Sequence, residues 1–186
     1  VGNIEAENSV KILMRAIGAM AVLAAFCAGP LAAQTQFERA GAQQDWSVFE
    51  AGSGKDRVCW IVSKPTKWEA RRDGRKVDVN RGDIYLMVAN RPEQGVANEI
   101  SMVAGYPFRA NSNVGVEIGS DKFTMFTQDQ TAWLENAKAD AQMIEAMKRG
   151  VEAVITGISG RGTTTIDTFS LLGFTAALEE AQRLCA

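Results

Sequence analysis

Histidine is absent from all 186 residues. That removes at once the commonest general base, the usual zinc ligand and every Ser-His or Cys-His nucleophile arrangement. Neither sign of charge is in excess: 20 Lys and Arg stand against 22 Asp and Glu, a net −2, which carries neither a nucleic-acid footprint nor an acidic tail. Cysteine is scarce, at three. No apolar run reaches the roughly 20 residues of an ordinary membrane span, and no internal repeat or low-complexity tract interrupts the chain. Carboxylates are plentiful, but Asp83, Glu99, Glu117 and Asp129 are scattered singly and read as solvated strand-end and loop residues. No cofactor and no metal is expected.

What is present begins with an export pattern. From Met14 the chain reads MRAIGAMAVLAAFCAGPLAAQ, in which Arg15 supplies a basic n-region, residues 16–28 an apolar h-region, and Gly29-Pro30 a break before the small residues Ala32 and Ala33. This is the pattern of a secretory signal peptide. Residues 1–33 are assigned to it, with cleavage expected after Ala33. Residues 1–13 start with valine and carry two acidic residues ahead of the n-region, so Met14 is the expected true start. Phe26, bulky before Cys27, argues against a lipidated cysteine. The expected location is periplasmic or secreted, with no transmembrane segment in the mature form.

Export changes the cysteine arithmetic, because the chain then meets oxidising conditions. Without Cys27, Cys59 and Cys185 remain and allow a single pairing; two buried free thiols are the competing reading. Loop-closure entropy makes such a long-range disulfide worth about 4–5 kcal/mol.

Residues 34–44 are polar, Ala- and Gln-rich and aperiodic, the composition of a flexible lead-in. One domain is expected over 45–186. Residues 46–49 and 58–62 are β-rich runs joined across Gly52-Ser53-Gly54, and Pro65 stops the second. Residues 67–79 suggest a hairpin turning at Asp73-Gly74. Residues 84–89 are nearly continuous in apolar character, as in a central strand covered on both faces; 99–104 is a further strand, and 114–118 pairs with 122–127. Residues 140–149 suit a short helix capped by Asp140, with Met143, Ile144 and Met147 on one face and Lys148-Arg149 before Gly150 at its end. Strands at 151–158 and 163–169 follow. Ser170 is placed as the N-cap of a last helix whose spacing puts Leu171, Phe174, Leu178, Ala181 and Cys185 together. The pattern is mainly β, a sandwich or partly closed barrel with one short inserted helix and a C-terminal helix.

Few residues suggest a site. The loop of residues 157–164 has the glycines of a phosphate-binding loop but lacks its lysine, and a strand rather than a helix follows; it reads as a hairpin turn, with Arg161 free to meet an anionic partner. Ser63-Lys64 are adjacent in a strand and point to opposite faces, unsuited to a Ser-Lys nucleophile. Lys67, Arg71, Arg72, Arg75 and Lys76 surround Trp68 in the most basic stretch. That hairpin suits an acidic surface, such as lipopolysaccharide phosphate or a partner protein; the competing reading is an edge hairpin whose cations discourage aggregation.

Several segments together resemble a known family: Asp45-Trp46-Ser47-Val48-Phe49, Cys59-Trp60-Ile61-Val62-Ser63-Lys64-Pro65, Gly105-Tyr106-Pro107-Phe108, Met147-Lys148-Arg149-Gly150, Ser159-Gly160-Arg161-Gly162-Thr163, and the closing Ser170-Leu171-Leu172-Gly173-Phe174 run before Cys185. The chain is similar to the invasion-associated locus B family of alphaproteobacterial exported proteins. The resemblance implies an immunoglobulin-like β-sandwich in the periplasm or outside the cell, no established enzymatic activity, and an association with host-cell entry in pathogenic members. It brings no catalytic residues. Some members carry extra cysteines near the first tryptophan motif, where Phe49 stands here, so a second disulfide is not expected. The expectation is a non-enzymatic envelope protein that binds another envelope or host macromolecule. The alternative is a small-molecule or lipid carrier with a cavity between the sheets lined by Trp46, Trp60, Tyr85 and Met87.

Overall fold

The computed structural model describes residues 37–186; the expected signal peptide and true start lie outside the described residues. The strands are β1 (Phe37–Gln43), β2 (Trp46–Ala51), β3 (Val58–Ser63), β4 (Lys67–Arg72), β5 (Arg75–Lys76), β6 (Tyr85–Arg91), β7 (Val96–Val103), β8 (Asn113–Ile118), β9 (Asp121–Gln128), β10 (Thr131–Trp133), β11 (Glu152–Ile158) and β12 (Thr164–Ser170). Helix α1 (Ala137–Arg149) lies between β10 and β11, and α2 (Phe174–Leu184) follows β12.

All twelve strands join one ladder, ordered β1-β2-β3-β6-β7-β10-β9-β8-β11-β12-β4-β5, with antiparallel neighbours throughout. Such a ladder cannot lie flat. β3 and β4 are eight places apart in it, about 38 Å at ordinary strand spacing. Only Lys64, Pro65 and Thr66 connect them, a span of at most about 15 Å. The sheet therefore curls until its halves face each other. Bonds across the seam follow: Thr66 N donates to Thr168 O at 2.8 Å and Asp45 N to Leu172 O at 3.3 Å, and Trp46 Nε1 donates to Ser170 O at 3.1 Å. The mainly β, sandwich-like class expected from sequence is the class observed.

Strand alternation fills the interior. Ile61, Leu86, Val88, Val114, Val116, Met125 and Ile155 are buried and belong to one apolar cluster, completed by Met143 and Met147 of α1 and by Phe174, Ala177, Leu178 and Ala181 of α2. Each fully buried large side chain contributes roughly 1.5–3 kcal/mol. The tail motif works as its spacing predicts.

Four local expectations are corrected. The supposed lead-in contains the edge strand β1: it pairs with β2 while exposing most of its side chains, so backbone bonds make it a strand where no apolar alternation could announce it. Gly41 permits close approach of α2, since a Cβ there would lie 2.5 Å from Glu180 Oε1, and Gln43 Nε2 donates to Glu180 Oε2 at 2.9 Å. Helix α1 starts a turn earlier than expected; Asn136 is its cap, its Oδ1 accepting from Lys138 N and Ala139 N, each at 3.1 Å. Ser170 ends β12 and accepts from Leu172 N at 3.2 Å, while Gly173, at φ 85°, caps α2. A Cβ on Gly173 would collide with the Gln43 carbonyl. Finally, β6 buries Leu86, Val88 and Asn90 but leaves Tyr85, Met87 and Ala89 only half-covered.

Candidate functional site: a basic cleft at the β4–β5 end

The hairpin turns where expected, with Asp73 at φ 50° and Gly74 at φ 74°, the two positive φ values of a type I′ turn. Pairing with β12 sets Trp68 opposite Asp167 and Ala70 opposite Thr165. Side-chain alternation therefore sorts the basic residues onto two faces. Lys67 and Arg71 lie outward. There Glu69 takes Arg71 Nε at 2.6 Å and Lys76 Nζ at 2.9 Å, and Lys67 reaches Glu152 at 3.8 Å. The hydrogen bonds from Arg71 and Lys76 hold the Glu69 carboxyl below its ordinary pKa.

Trp68 and Arg72 face the other way. Arg72 Nη2 donates to Thr163 Oγ1 at 2.7 Å, next to Arg161 in the turn between β11 and β12. Arg75 stands directly opposite Arg72, and among the described residues neither makes an ion pair. Of the seven residues singled out in the sequence, Arg72 and Arg161 line one cleft of about 590 Å³, Trp68 and Arg75 flank it, and Lys67, Arg71 and Lys76 belong to the opposite face.

Under the cleft lies an assembly the sequence did not announce. Arg81, whose side chain is 3% exposed, forms a bidentate pair with Asp167, which is 0% exposed, at 2.6 Å from Nη1 to Oδ1 and 2.9 Å from Nη2 to Oδ2. Its Nε and Nη2 also donate to Ala104 O at 3.0 and 2.7 Å. The guanidinium sits 5.3 Å from the Trp68 ring and 5.0 Å from the Tyr106 ring, where cation–π attraction adds to the ion pair. Tyr106 shares a 2.6 Å hydrogen bond with Thr165 Oγ1; burial raises its hydroxyl pKa, against the lowering effect of that bond. Two glycines let the loops meet: Gly82 N donates to Gly105 O at 2.8 Å, and Gly105, at φ 72°, would place a Cβ 2.5 Å from Gly82 O. One signal did exist in the sequence. Asp167 alternates with Thr165 and Phe169 at inward positions of β12, and an inward carboxylate requires a cation.

The residues named for a carrier cavity do not converge. Trp46 is fully buried against Phe174, ring centroids 5.1 Å apart, whereas Trp60, Tyr85 and Met87 lie on half-covered outward positions and Trp60 stacks on Phe49 at 5.6 Å. Among the described residues no group of three His, Cys, Asp or Glu side chains is gathered to hold a metal.

At the other end of the molecule Cys59 of β3 is bonded to Cys185, S–S 2.05 Å, across 126 residues. Arg57 Nη1 donates to Leu184 O at 2.9 Å beside it. The chain is thus a disulfide-closed, curled antiparallel β-domain with two terminal-side elements fastened together and an arginine-lined cleft at the opposite hairpin. A family model described as "Invasion associated locus B (IalB) protein" matches residues 46–182, and the chain belongs to that family. No curated protein and no solved structure matches it.

Proposed function

We propose that this chain is an exported, non-enzymatic envelope protein that binds another macromolecule through the β4–β5 end. The observation that carries the reading is the pairing of Arg72 directly opposite Arg75 beside Arg161, with no carboxylate among the described residues bridging them. Like charges placed directly opposite on a ladder are destabilising, and departures from such local rules concentrate at functional sites. The outward face of the same hairpin has Glu69 between its cations, so the contrast lies within one element.

Export is supported by the disulfide, which persists in oxidising compartments, and no helix among the described residues is long and apolar enough to cross a membrane. A binding rather than catalytic role is supported by the state of the two buried carboxylates: Asp167 is held by Arg81 and Asp140 accepts from Ile100 N at 2.9 Å. The family takes its name from invasion, and an association with host-cell entry is the corresponding proposal here.

Site-specific photo-crosslinking tests the reading in cells, with the disulfide intact. A photoreactive residue at Arg75 is expected to give a discrete macromolecular adduct that the same probe at Lys138 on α1 does not. Absence of an adduct from position 75, or the same adducts from both positions, overturns it.

A further inference from the structure

We infer that the cleft over Arg81 recognises a phosphate monoester, which deepens the proposed reading by naming the chemistry taken at that end. Three features set this cleft apart. First, apart from Arg81 its cations are uncompensated: Arg72 and Arg161 line it, and Arg109 approaches the same turn, its Nη2 3.0 Å from where a Cβ on Gly162 would lie. None of the three makes an ion pair among the described residues, and Asp78 is the acid in the lining. By contrast, in the 570 Å³ cleft beside α1 two of the three cations are matched: Arg149 meets Asp121 at 3.4 Å and Lys122 meets Glu117 at 2.9 Å.

Second, the turn that carries Arg161 and the side chain of Arg72 are held in place before any ligand arrives. The turn is closed by Gly162 N to Ser159 O at 2.8 Å, Ser159 N to Thr163 O at 2.9 Å and Gly160 N to Pro107 O at 3.0 Å. Ser159 Oγ accepts from Thr163 N at 3.1 Å, and Thr163 Oγ1 accepts from Arg72. Each hydroxyl therefore keeps its own proton to donate. These donors are side chains, distinct from the backbone cradle of a phosphate loop, which this turn cannot form.

Third, the Arg81 guanidinium does not compete for the ligand, because Asp167 and Ala104 O occupy it. It acts as a rigid floor, leaving Arg72 and Arg161 to meet the anion. One carboxylate would leave most of these donors unmatched. A phosphate monoester carries about −1.5 to −2 charge and three acceptor oxygens, which suits two forked guanidinium groups and neighbouring hydroxyls. A cleft of this size falls in the range that takes a small organic ligand, so the phosphate arrives attached to a larger group.

The test uses the full chain with its disulfide intact. Calorimetric titrations with inorganic phosphate and with a hexose monophosphate probe the free sources, and flotation with phosphatidylcholine vesicles containing phosphatidic acid probes a lipid headgroup. Sulfate and vesicles containing phosphatidylglycerol, a diester, are the controls. Saturable binding is expected for at least one phosphomonoester, strengthening as pH rises through about 6 with the second ionisation of phosphate. Arg161→Gln, on an exposed turn, is expected to weaken it about tenfold or more, the loss of a charge-assisted hydrogen bond. Arg39→Gln, on β1, is expected to leave it unchanged, and an unaltered urea midpoint shows that the Arg161 variant is folded. Binding only to the phosphatidic acid vesicles identifies a lipid source; binding of the soluble esters identifies a free one. No binding to any phosphomonoester, equal response to sulfate, or indifference to Arg161→Gln overturns the inference. If the adduct from position 75 persists while phosphate fails, this inference alone falls; if phosphate binds and no adduct forms, the macromolecular reading falls instead.

Discussion

At one end of the molecule α2 is tied back to β3 by a covalent bond between Cys59 and Cys185, whereas at the other the chain between β5 and β6 is tied to β12 by Arg81 and Asp167. Both clamps join segments far apart in sequence, and they act by different physics. The disulfide restricts the unfolded chain and asks little of its surroundings. The ion pair acts only in the folded state, where two charges have lost their water and must be repaid by geometry. That is why Arg81 is so fully provided for: a bidentate carboxylate, a carbonyl and two aromatic rings. A covalent clamp tolerates a loose neighbourhood; a buried ionic one fails if any partner is missing.

The largest effect should come from the covalent end. Replacing both cysteines, Cys59→Ala with Cys185→Ala, is expected to lower stability by about 5 kcal/mol from loop-closure entropy, read from urea unfolding. Hydrogen exchange should rise first in α2 and leave the Arg81 segment protected. If protection is lost equally at both ends, the clamps are one cooperative unit and the contrast is broken.

Asp167→Ala strands a buried guanidinium and is expected to cost about 3–5 kcal/mol. Removing both charges together, Arg81→Met with Asp167→Leu, should recover much of that loss, because it is the unpaired charge that is penalised. A double variant as unstable as the single one would show that the pair itself, and not its completeness, holds the seam. Arg81→Lys should behave as a partial loss, since an ammonium cannot reproduce the fork.

A weaker dependence is expected within the disulfide half. Asp140 is buried there with a backbone N–H where Asp167 has an arginine, and burial raises its pKa above the ordinary 3.8, opposed by the Ile100 N–H and reinforced by the charge of Glu99. A raised carboxyl pKa means that the folded state holds its proton longer than the unfolded chain does. Its contribution is therefore favourable at low pH and is lost as pH rises from the ordinary value through the raised one. Asp140→Asn keeps an oxygen for Ile100 N and should flatten that decline in urea midpoints measured across acidic pH. An unchanged slope would mean that Asp140 does not titrate differently on folding.

Legibility in the sequence followed the same division. The disulfide could be inferred by counting, because pairing two cysteines needs a compartment and no geometry. The terminal helix was legible from the spacing of Leu171, Phe174, Leu178 and Ala181, all of which the structure buries. The hairpin at Asp73-Gly74 was legible because a tight turn is a local event. Asp140 was misread as a cap because its type and position suited one, while the partner that claims it, Ile100 N, lies 40 residues away. For the candidate site, the basic stretch was visible as composition. Which of its cations face Glu69 and which face the cleft depended on register with β12, and no local pattern marks Arg81, in the segment between β5 and β6, as buried.

By itself, then, the amino-acid order determined the strands with alternating apolar residues, the turns, the tail helix and the cysteine pair, since each depends on propensities and periodicities that act over a few residues or on a count. Only tertiary pairing decided the rest: backbone bonds to β2 made β1 a strand, and the curling of the ladder brought Arg72 beside the turn that carries Arg161 and placed Arg81 on Asp167, 86 residues away. Charges gain or lose partners according to which strands become neighbours, and that neighbourhood exists only once a three-residue link has forced twelve strands to bend.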